Sequence, residues 1–306
     1  FLGAGCSADA ELPGWTDLVN KLLLRLINKH VSFKNPVTDT DKENLVKALS
    51  VIENSPLLLT RKVRDGLEDT FENDIREILY ENSTNSSILA SPLLRELTKL
   101  CVHRPAGTVG VVTYNFDDLL EIHLENTGLP FQIICDAGTQ LSHDTLPIYH
   151  VHGFIPFKDE WVRKGENSVL VFSEEGYHKL LNDPYFWANI VQLNCLRERT
   201  CLFVGLSLTD PSLRRILEAV RQDVVTIPRH YILLQRLAVK QFIANAKKRE
   251  GVVLDHSQAE SVLEVYHELQ QDTLEKLGMN VIWYSDHTKV PEILEGMRSK
   301  NFDLNF

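Results

Sequence analysis

Residues 111–121 constrain the fold of this chain more than any other stretch, and they read Val-Val-Thr-Tyr-Asn-Phe-Asp-Asp-Leu-Leu-Glu. The apolar, β-favouring start predicts a short buried strand from Val109 to Thr113, which turns at Asn115 into an amphipathic helix. Open α/β sheets bind ligands at the carboxyl ends of parallel strands, so Asn115 and Asp117 are candidate site residues. Taken alone, Asn115 is more typical of a turn or a helix cap.

Strands and helices alternate over most of the sequence, which predicts a Rossmann-like, doubly wound and mostly parallel α/β sheet. The further predicted strands are Phe131–Cys135, Pro147–His152, Ser168–Phe172, Thr200–Val204, His230–Gln235 and Asn280–Ser285. No strand pattern is visible in residues 32–101. We therefore predict a helical insert subdomain at 32–101, inside a Rossmann-like domain formed by residues 1–31 and 102–306. The sequence starts at Phe1 in what reads as a strand end, so we expect the strand to begin before it.

A glycine-rich turn follows that first strand, with the sequence Gly3-Ala4-Gly5-Cys6-Ser7. Glycine allows positive φ and lets the backbone approach a pyrophosphate. The third glycine of the dinucleotide fingerprint is absent, and no acidic residue follows a second strand at the expected distance, so a turn without a ligand is an equal alternative. Thr16 or Asp17 is the predicted cap of the next helix. Trp15 before it fits a core anchor slightly better than the wall of a ligand pocket.

Two more polar turns follow predicted strands. His152 closes a strand directly before Gly153, and alternation places it on the same face as His150 and at the same sheet edge as Asn115. A lone histidine is nevertheless more often a packed or solvated residue. Gly205-Leu206-Ser207 follows another buried strand, and Asp210-Pro211 then starts a helix, with aspartate as cap and proline in the first turn.

Composition excludes several classes of function. The formal net charge of −10 argues against nonspecific nucleic-acid binding, which needs clustered Lys and Arg. The 5 cysteines form no Cys-x-x-Cys pair, which argues against a structural zinc site, and their scatter suits a reducing cytosol. No apolar run is long enough for a membrane helix and no signal peptide is visible, so we expect a cytoplasmic protein.

The four turns together, in their order and spacing, resemble the NAD pocket of the sirtuin family. That pocket uses a Gly-Ala-Gly loop, a Thr-x-Asn-x-Asp turn, a His-Gly pair and a Gly-x-Ser turn. The segments at 115–121, 173–177 and 205–211 look closest to the divergent sirtuin-like NAD hydrolases of bacterial anti-phage defence systems. The zinc module of deacylating sirtuins is missing, because residues 154–204 hold only Cys195 and Cys201. Tyr114 also replaces the usual Gln and Thr16 the usual Arg, which puts acyl-lysine binding in doubt but not NAD binding.

The resemblance implies an NAD⁺ hydrolase that gives nicotinamide and ADP-ribose and depletes NAD as an anti-phage effector. It implies that Asn115 binds the nicotinamide-ribose hydroxyls or positions the attacking water. It makes His152 the general base, for which the ordinary histidine pKa of about 6.5 is suitable. Asp117 would orient the nicotinamide side or the Asn115 loop, with a plain helix-start residue as an equal alternative.

The other implied contacts are with NAD as substrate, and no metal is expected. The residues expected to bind NAD are Gly3, Ala4, Gly5 and Ser7 at the pyrophosphate, Gly205, Leu206 and Ser207 at the adenosine half, Tyr284 and Asp286 near the adenine, and Trp15, Thr113 and Tyr114 elsewhere in the pocket.

Two other functions stay open: an NAD-dependent protein deacylase or ADP-ribosyltransferase, and a non-catalytic NAD or ADP-ribose sensor that acts through oligomerisation. We also expect a homo-oligomer and a partner protein or fused domain that senses infection, such as an ATPase or a nucleic-acid-binding protein. Direct contact with nucleic acid or membrane is not expected. The helical insert is placed to cover the pocket mouth as a lid.

Overall fold

A computed structural model describes residues 1–32, 37–53, 55–103, 107–161, 170–222 and 230–299 of the chain. These residues form two compact units, one from Leu2 to Ile190 and one from Val191 onward together with Phe1. Every strand pairing within the described parts of either unit is parallel. The predicted α/β class with parallel strands is therefore confirmed.

The described part of the first unit contains six α-helices before its first strand. Besides short 3₁₀ helices, the elements of its described part are α1 (Trp15–His30), α2 (Asp39–Ile52), α3 (Pro56–Leu67), α4 (Phe71–Leu79), α5 (Asn85–Ala90), α6 (Pro92–Val102), β1 (Val111–Thr113), α7 (Leu119–Glu125), β2 (Phe131–Ile134), β3 (Leu146–His150) and α8 (Glu174–Asn182). Helix α9 (Trp187–Glu198) contains the boundary between the units. The described residues of 37–102 form helices α2 to α6 without a strand, and the division into domains at 31 and 102 stays a prediction.

The sheet of this unit has the order β1-β3-β2. Thr113 at the end of β1 pairs with His150 at the end of β3. Leu2 adds a parallel bridge to Thr113, with its N–H donating to the Val112 carbonyl at 2.8 Å. Because parallel strands end at one edge of a sheet, the turns after Leu2, Thr113 and His150 all leave from the same edge.

The core beneath this edge contains polar groups as well as apolar ones. On β3, Leu146, Ile148 and His150 are buried while the residues between them are half-buried. Helix α7 is buried over nearly all of its length, including Glu121 and His123. A polar side chain in such surroundings needs a hydrogen-bond partner, and the partners of Glu121 and His150 prove to belong to the site.

The second unit has the sheet order β4-β5-β6. Its elements are β4 (Leu202–Phe203), α10 (Pro211–Gln222), β5 (His230–Gln235), α11 (Val239–Glu250), α12 (His256–Lys276), β6 (Met279–Tyr284) and α13 (Lys289–Ser299). The predicted cap of α10 is confirmed, since Asp210 Oδ1 accepts the backbone N–H groups of Ser212 at 2.9 Å and Leu213 at 3.0 Å.

Several predicted boundaries are wrong. Strand β1 starts at Val111, because Val109 is 63% exposed and has no strand partner among the described residues. Strand β3 ends at His150. Residues 171–172 form a turn where a strand was expected, and residues 168–169 lie outside the described part. Helix α1 begins at Trp15 with Gly14 as its N-cap and without a side-chain cap, so neither Thr16 nor Asp17 is the cap.

Candidate active site

The glycine-rich turn lies at the sheet edge as a short 3₁₀ helix, Ala4–Cys6. Its hydrogen bonds run from the N–H of Cys6 to the Gly3 carbonyl at 2.8 Å and from the N–H of Ser7 to the Ala4 carbonyl at 3.1 Å. Gly3 is extended with φ −134°, and neither glycine has positive φ, so that part of the prediction is wrong. Gly3 and Ser7 are buried, whereas Ala4 and Gly5 are exposed, so the exposed part of the turn carries no side chain larger than a methyl group.

Asn115 connects this turn to the end of β1. Its Nδ2 donates to the Gly3 carbonyl at 3.1 Å and to Ser7 Oγ at 3.0 Å. Its backbone N–H donates to Thr113 Oγ1 at 3.1 Å. The N-cap of α7 is Asp118, so Asn115 is not a helix cap. Two of the predicted site segments are therefore joined directly by one side chain.

Asp117 extends the same chain of hydrogen bonds. Ser7 Oγ donates to Asp117 Oδ2 at 2.8 Å, and the Leu119 N–H donates to Oδ1 at 3.3 Å. Burial raises the pKa of Asp117 to about 6; the Ser7 and Leu119 hydrogen bonds oppose the rise and the nearby Glu121 charge adds to it. Asp117 thus lies beside the start of α7 and is connected to Asn115 through the Ser7 hydroxyl, and its role toward NAD stays a prediction.

His152 lies beyond the end of β3, in a turn closed by the Gly153 N–H donating to the His150 carbonyl at 3.2 Å. Gly153 has φ +107°, which a side chain would strain. The buried His152 ring stands edge-on to the rings of Tyr114 at 4.6 Å and Tyr177 at 5.8 Å between centroids. The strand has already ended, so the predicted alternation that put His150 and His152 on one face does not apply.

Trp15 covers an aromatic cluster and is not a core anchor. Its ring lies 4.5 Å from that of Phe172, yet the residue is 36% exposed. Phe172 is buried and also packs against Phe71 at 5.4 Å and Phe116 at 6.1 Å. Trp15 therefore has a free surface that suits the second alternative, a wall, better than the first.

The remaining predicted residues, in the second unit, lie in or next to turns and make local contacts. Gly205 has φ +70°, Leu206 is half-buried, and Ser207 Oγ lies 2.8 Å from Thr209 Oγ1. The Tyr284 hydroxyl lies 3.1 Å from His287 Nδ1. Asp286 accepts the Thr288 hydroxyl at 2.6 Å, which holds its pKa below the usual range. Contacts of these five residues with NAD remain predictions.

Sequence reasoning missed three buried polar residues behind Asn115. Glu121 Oε1 lies 2.7 Å from His150 Nε2, and His150 Nδ1 lies 3.2 Å from the Asn115 carbonyl. Asp118 accepts the N–H groups of Phe157 at 2.8 Å and Lys158 at 3.1 Å. The available signal was a charged residue inside the apolar run of α7 and a histidine on the buried face of β3.

A small cavity adjoins these groups. It measures about 10 Å³, roughly the space that one water needs. Its polar lining consists of Ser7, Thr113, Asn115, Asp117 and Glu121, and its apolar lining includes Leu94 and Ile148. It is far too small for a nucleotide and belongs to the supporting layer behind Asn115.

Residues 109–255, just under half of the chain, match the family model of the SIR2-like domain. The chain thus carries a SIR2-like domain, and its predicted resemblance to sirtuin-like proteins is confirmed. NAD(+) hydrolase ThsA of Enterococcus faecium is 26% identical over 251 residues, which cover 77% of this chain and 49% of that protein. NAD(+) hydrolase ThsA of Bacillus cereus strain MSX-D12 is 27% identical over 187 residues, which cover 56% of this chain and 37% of the relative. The chain spans about half the length of these relatives or less.

Two further properties concern the described residues alone. None of their helices combines the length and apolarity required to span a membrane. They also contain no group of three or more His, Cys, Asp or Glu side chains arranged to hold a metal ion.

Proposed function

We propose that this chain is an NAD⁺ hydrolase that cleaves NAD⁺ into nicotinamide and ADP-ribose. The observation that carries the proposal is the Asn115 side chain, held by the Gly3 carbonyl and the Ser7 hydroxyl at the edge of a parallel sheet. Similarity to two proteins named NAD(+) hydrolase supports it. The same two proteins favour hydrolysis over deacylation or ADP-ribosyl transfer.

The residues of the turn fit a pyrophosphate. Ala4 and Gly5 are exposed and carry little or no side chain, so a ligand can approach the backbone closely. The net charge of −10 gives no general attraction for an anionic substrate, so local backbone N–H groups have to supply it. We assign Gly3, Ala4, Gly5 and Ser7 to this part of NAD⁺.

The hydrogen bonds of Asn115 define what it can offer to the substrate. An amide side chain has two N–H donors and one carbonyl acceptor. The Nδ2 group already donates to Gly3 and Ser7, which leaves Oδ1 as the atom for the substrate. Oδ1 is an acceptor and suits a ribose hydroxyl or the attacking water, and a fixed acceptor contributes through positioning.

The reaction breaks the bond between the ribose C1′ and the nicotinamide nitrogen, and nicotinamide leaves with the bonding pair. Such a bond breaks through an oxocarbenium-like transition state, as glycosidic bonds do. Water adds to C1′ and gives up one proton, for which we assign His152 as general base. The aromatic rings of Tyr114 and Tyr177 restrict the His152 ring and limit its access to bulk water.

We further propose that NAD⁺ cleavage serves anti-phage defence in the cytoplasm, with a homo-oligomer and a partner or fused domain controlling it. The support is the resemblance of the segments at 115–121, 173–177 and 205–211 to that branch of sirtuin-like proteins.

Release of free nicotinamide from NAD⁺ by the purified chain tests the proposal, with Asn115→Ala as the key variant. We expect nicotinamide and ADP-ribose in equal amounts, and a loss of about 10²-fold or more in the variant, because the positioned acceptor is gone. Asn126→Ala is the matched control, since its Nδ2 donates to the Ile122 carbonyl on α7 at 3.2 Å, away from the glycine turn. Wild-type-like turnover by a folded Asn115→Ala protein, or no nicotinamide from micromolar wild-type protein over hours, would contradict the assignment.

A further inference from the structure

Asn115 is held from behind by a buried pair on two other elements. His150 ends β3 and Glu121 lies on α7, and the two side chains meet at 2.7 Å between Nε2 and Oε1. The second ring nitrogen of His150, Nδ1, lies 3.2 Å from the backbone carbonyl of Asn115. The imidazole therefore bridges a carboxylate and the peptide group of the residue that we place in contact with the substrate.

Burial makes this bridge different from a surface ion pair. His150 is fully buried and Glu121 nearly so, and the Phe154 ring covers the imidazole at 4.4 Å between centroids. Surface pairs exchange with water and contribute little, whereas a buried polar group without its partner is costly. A fold that places both groups here consequently fixes their geometry, and that of the peptide that His150 holds.

The proton count of the bridge follows from its partners. A carbonyl oxygen and a carboxylate oxygen both accept hydrogen bonds, so both ring nitrogens of His150 face acceptors. Both hydrogen bonds of the bridge form when Nδ1 carries a hydrogen and a second proton lies between Nε2 and Glu121 Oε1. Without that proton, the single remaining N–H can serve Glu121 or Asn115 but not both.

The other contacts of Asn115 show what the bridge adds. Thr113 holds its N–H, while Gly3 and Ser7 hold its Nδ2. Those contacts come from β1 and the glycine turn. His150 supplies a contact to the Asn115 carbonyl from β3, so the turn is held from a third side.

We propose that Glu121 and His150 are positioning residues that hold the Asn115 turn, so that Asn115 Oδ1 faces the substrate. This inference rests on the proposed NAD⁺ hydrolase function and deepens it. Neither side chain touches the substrate in this scheme, and both act through the Asn115 peptide.

The steady-state kinetics of NAD⁺ cleavage give the first test. His150→Phe keeps a ring in place but removes both hydrogen bonds, and Glu121→Leu removes the carboxylate. We expect kcat to fall about 10- to 100-fold in each, with a much smaller change in KM, because a misplaced group costs rate more than binding. His123→Phe is the matched control, since His123 is buried on the same helix but bonds the Ile88 carbonyl at 2.9 Å and not Asn115.

The conservative variant Glu121→Gln adds a test that a merely structural role would not pass. The glutamine amide can donate to His150 Nε2, so a neutral imidazole keeps its Nδ1–H for Asn115. We expect turnover close to wild type at neutral pH. The wild-type protein should lose activity at alkaline pH as the shared proton leaves, and Glu121→Gln should not. The negative charges of Glu121 and, more weakly, Asp117 raise the pKa of His150. Asp117 is present in both proteins, so a difference between their pH profiles reports on Glu121.

Selective ¹⁵N-asparagine labelling separates this inference from the proposed function, because it needs no turnover. Asn115 signals are assigned by their loss in Asn115→Ala. We expect His150→Phe and Glu121→Leu to shift them and speed their hydrogen exchange, and His123→Phe to leave them unchanged. Shifted signals in a chain that never releases nicotinamide would support the positioning and refute the hydrolase. Unmoved Asn115 signals, or an alkaline limb that is the same in Glu121→Gln, would overturn the positioning role.

Discussion

At the scale of single residues, the site divides into groups that face the substrate and groups that hold them. Asn115 and His152 are assigned to the first kind. Asp117, Glu121 and His150 are of the second kind, because their side chains bond to one another, to Ser7 or to Asn115. Ser7 belongs to both kinds, since it is assigned to the pyrophosphate and its hydroxyl also accepts from Asn115. Removal of a residue of either kind should therefore lower kcat more than it changes KM, and the loss should be larger for a group that faces the substrate.

His152→Ala should reduce turnover about 10²- to 10⁴-fold while KM for NAD⁺ changes much less, because a general base acts in the transition state. Initial rates across a range of NAD⁺ concentrations measure both parameters. His178→Ala is the control. His178 is an exposed histidine on α8 whose Nε2 lies 3.8 Å from Glu174 Oε1. Should the variant turn over normally at saturating NAD⁺ and lose only affinity, His152 is a pocket wall and not the base.

Asp118 gives a prediction on pH and stability. Burial raises its pKa to about 7, against the opposing N–H bonds from Phe157 and Lys158. An aspartate in the unfolded chain titrates near 3.9, so the folded state holds this proton more tightly. The stabilisation is complete below about pH 4 and is lost as pH rises through about 7.

Denaturant unfolding of wild type and Asp118→Asn at pH 4 to 8 measures this effect. The wild-type free energy of unfolding should fall relative to that of the variant by up to roughly 4 kcal/mol over this range. Parallel curves for the two proteins would show that Asp118 keeps its ordinary affinity for the proton.

At the scale of elements, the sequence predicts whether a segment is a helix or a strand better than it predicts where that element begins and ends. Strand β5 has its predicted bounds, His230–Gln235, whereas β3 ends two residues before His152. Alternation of apolar residues shows which side chains a strand can bury, but its length depends on partner strands elsewhere in the chain. Strand β1 pairs with only three residues of β3, so Val109 has no ladder to join.

The site follows the same rule. The residues at strand ends could be predicted, because the edge of a parallel sheet is set by topology. The bridge from Glu121 to His150 could not, because it joins residues 29 positions apart in the chain. Its only trace in the sequence is that each residue interrupts an apolar pattern.

Helix α8 supports His152 through a close approach at Gly176. A Cβ on Gly176 would lie 2.8 Å from the Leu170 carbonyl oxygen and 2.8 Å from Val171 Cα. The N–H of Val171 donates to the His152 carbonyl at 2.7 Å, and Tyr177 packs on the His152 ring. Gly176→Ala should therefore push α8 away and disturb His152.

We expect Gly176→Ala to lower stability by about 1 to 3 kcal/mol, as overpacking does, and to reduce turnover. Gly296→Ala on α13 is the control, because no neighbouring atom lies within 4 Å of its added Cβ. It should be neutral or slightly stabilising, since alanine favours helices more than glycine does. Thermal unfolding and nicotinamide release, measured on both variants, test this prediction. Equal stability and turnover of the two variants would mean that residues 170–171 can shift away from the new Cβ without loss of stability.

At the scale of the whole molecule, the question is what covers the apolar surface that remains exposed. In the insert, Leu59, Ile75, Ile78 and Leu79 are buried, whereas Leu45, Leu49, Val51, Ile52 and Leu58 are between 38% and 79% exposed. The role of the insert as a lid stays a prediction. Helix α12 carries a further exposed apolar set: Val262, Val265, Tyr266 and Leu269 are each between 54% and 60% exposed. Their spacing of three and four residues puts them on one face, beside the buried face formed by Ala259, Leu263, His267 and Leu274.

An exposed apolar stripe of this kind is typical of an interaction surface, and we take it as the candidate surface for self-association. Glu260, Glu264 and Glu268 are exposed on α12, and Lys240, Lys247 and Lys248 are exposed on α11, which packs against it. Both signs of charge are therefore present on one helix pair, so a second copy of the chain can complement it. This combination favours self-association over a partner of one charge.

We therefore expect the purified chain to be oligomeric and to turn over NAD⁺ slowly until a partner or a changed assembly releases it, since unrestrained NAD⁺ cleavage would deplete the NAD⁺ of the host cell. Light scattering should give at least twice the chain mass of 34.9 kDa, and Val265→Glu should shift the mass toward one chain by placing a charge in the stripe. Glu264→Gln, on the same helix but outside the stripe, should leave the mass unchanged. Nicotinamide release measured on the same samples shows whether assembly restrains the enzyme: Val265→Glu should then change turnover, and Glu264→Gln should not. A wild-type chain that is monomeric at 100 µM and cleaves NAD⁺ rapidly without any partner would rule out restraint by assembly.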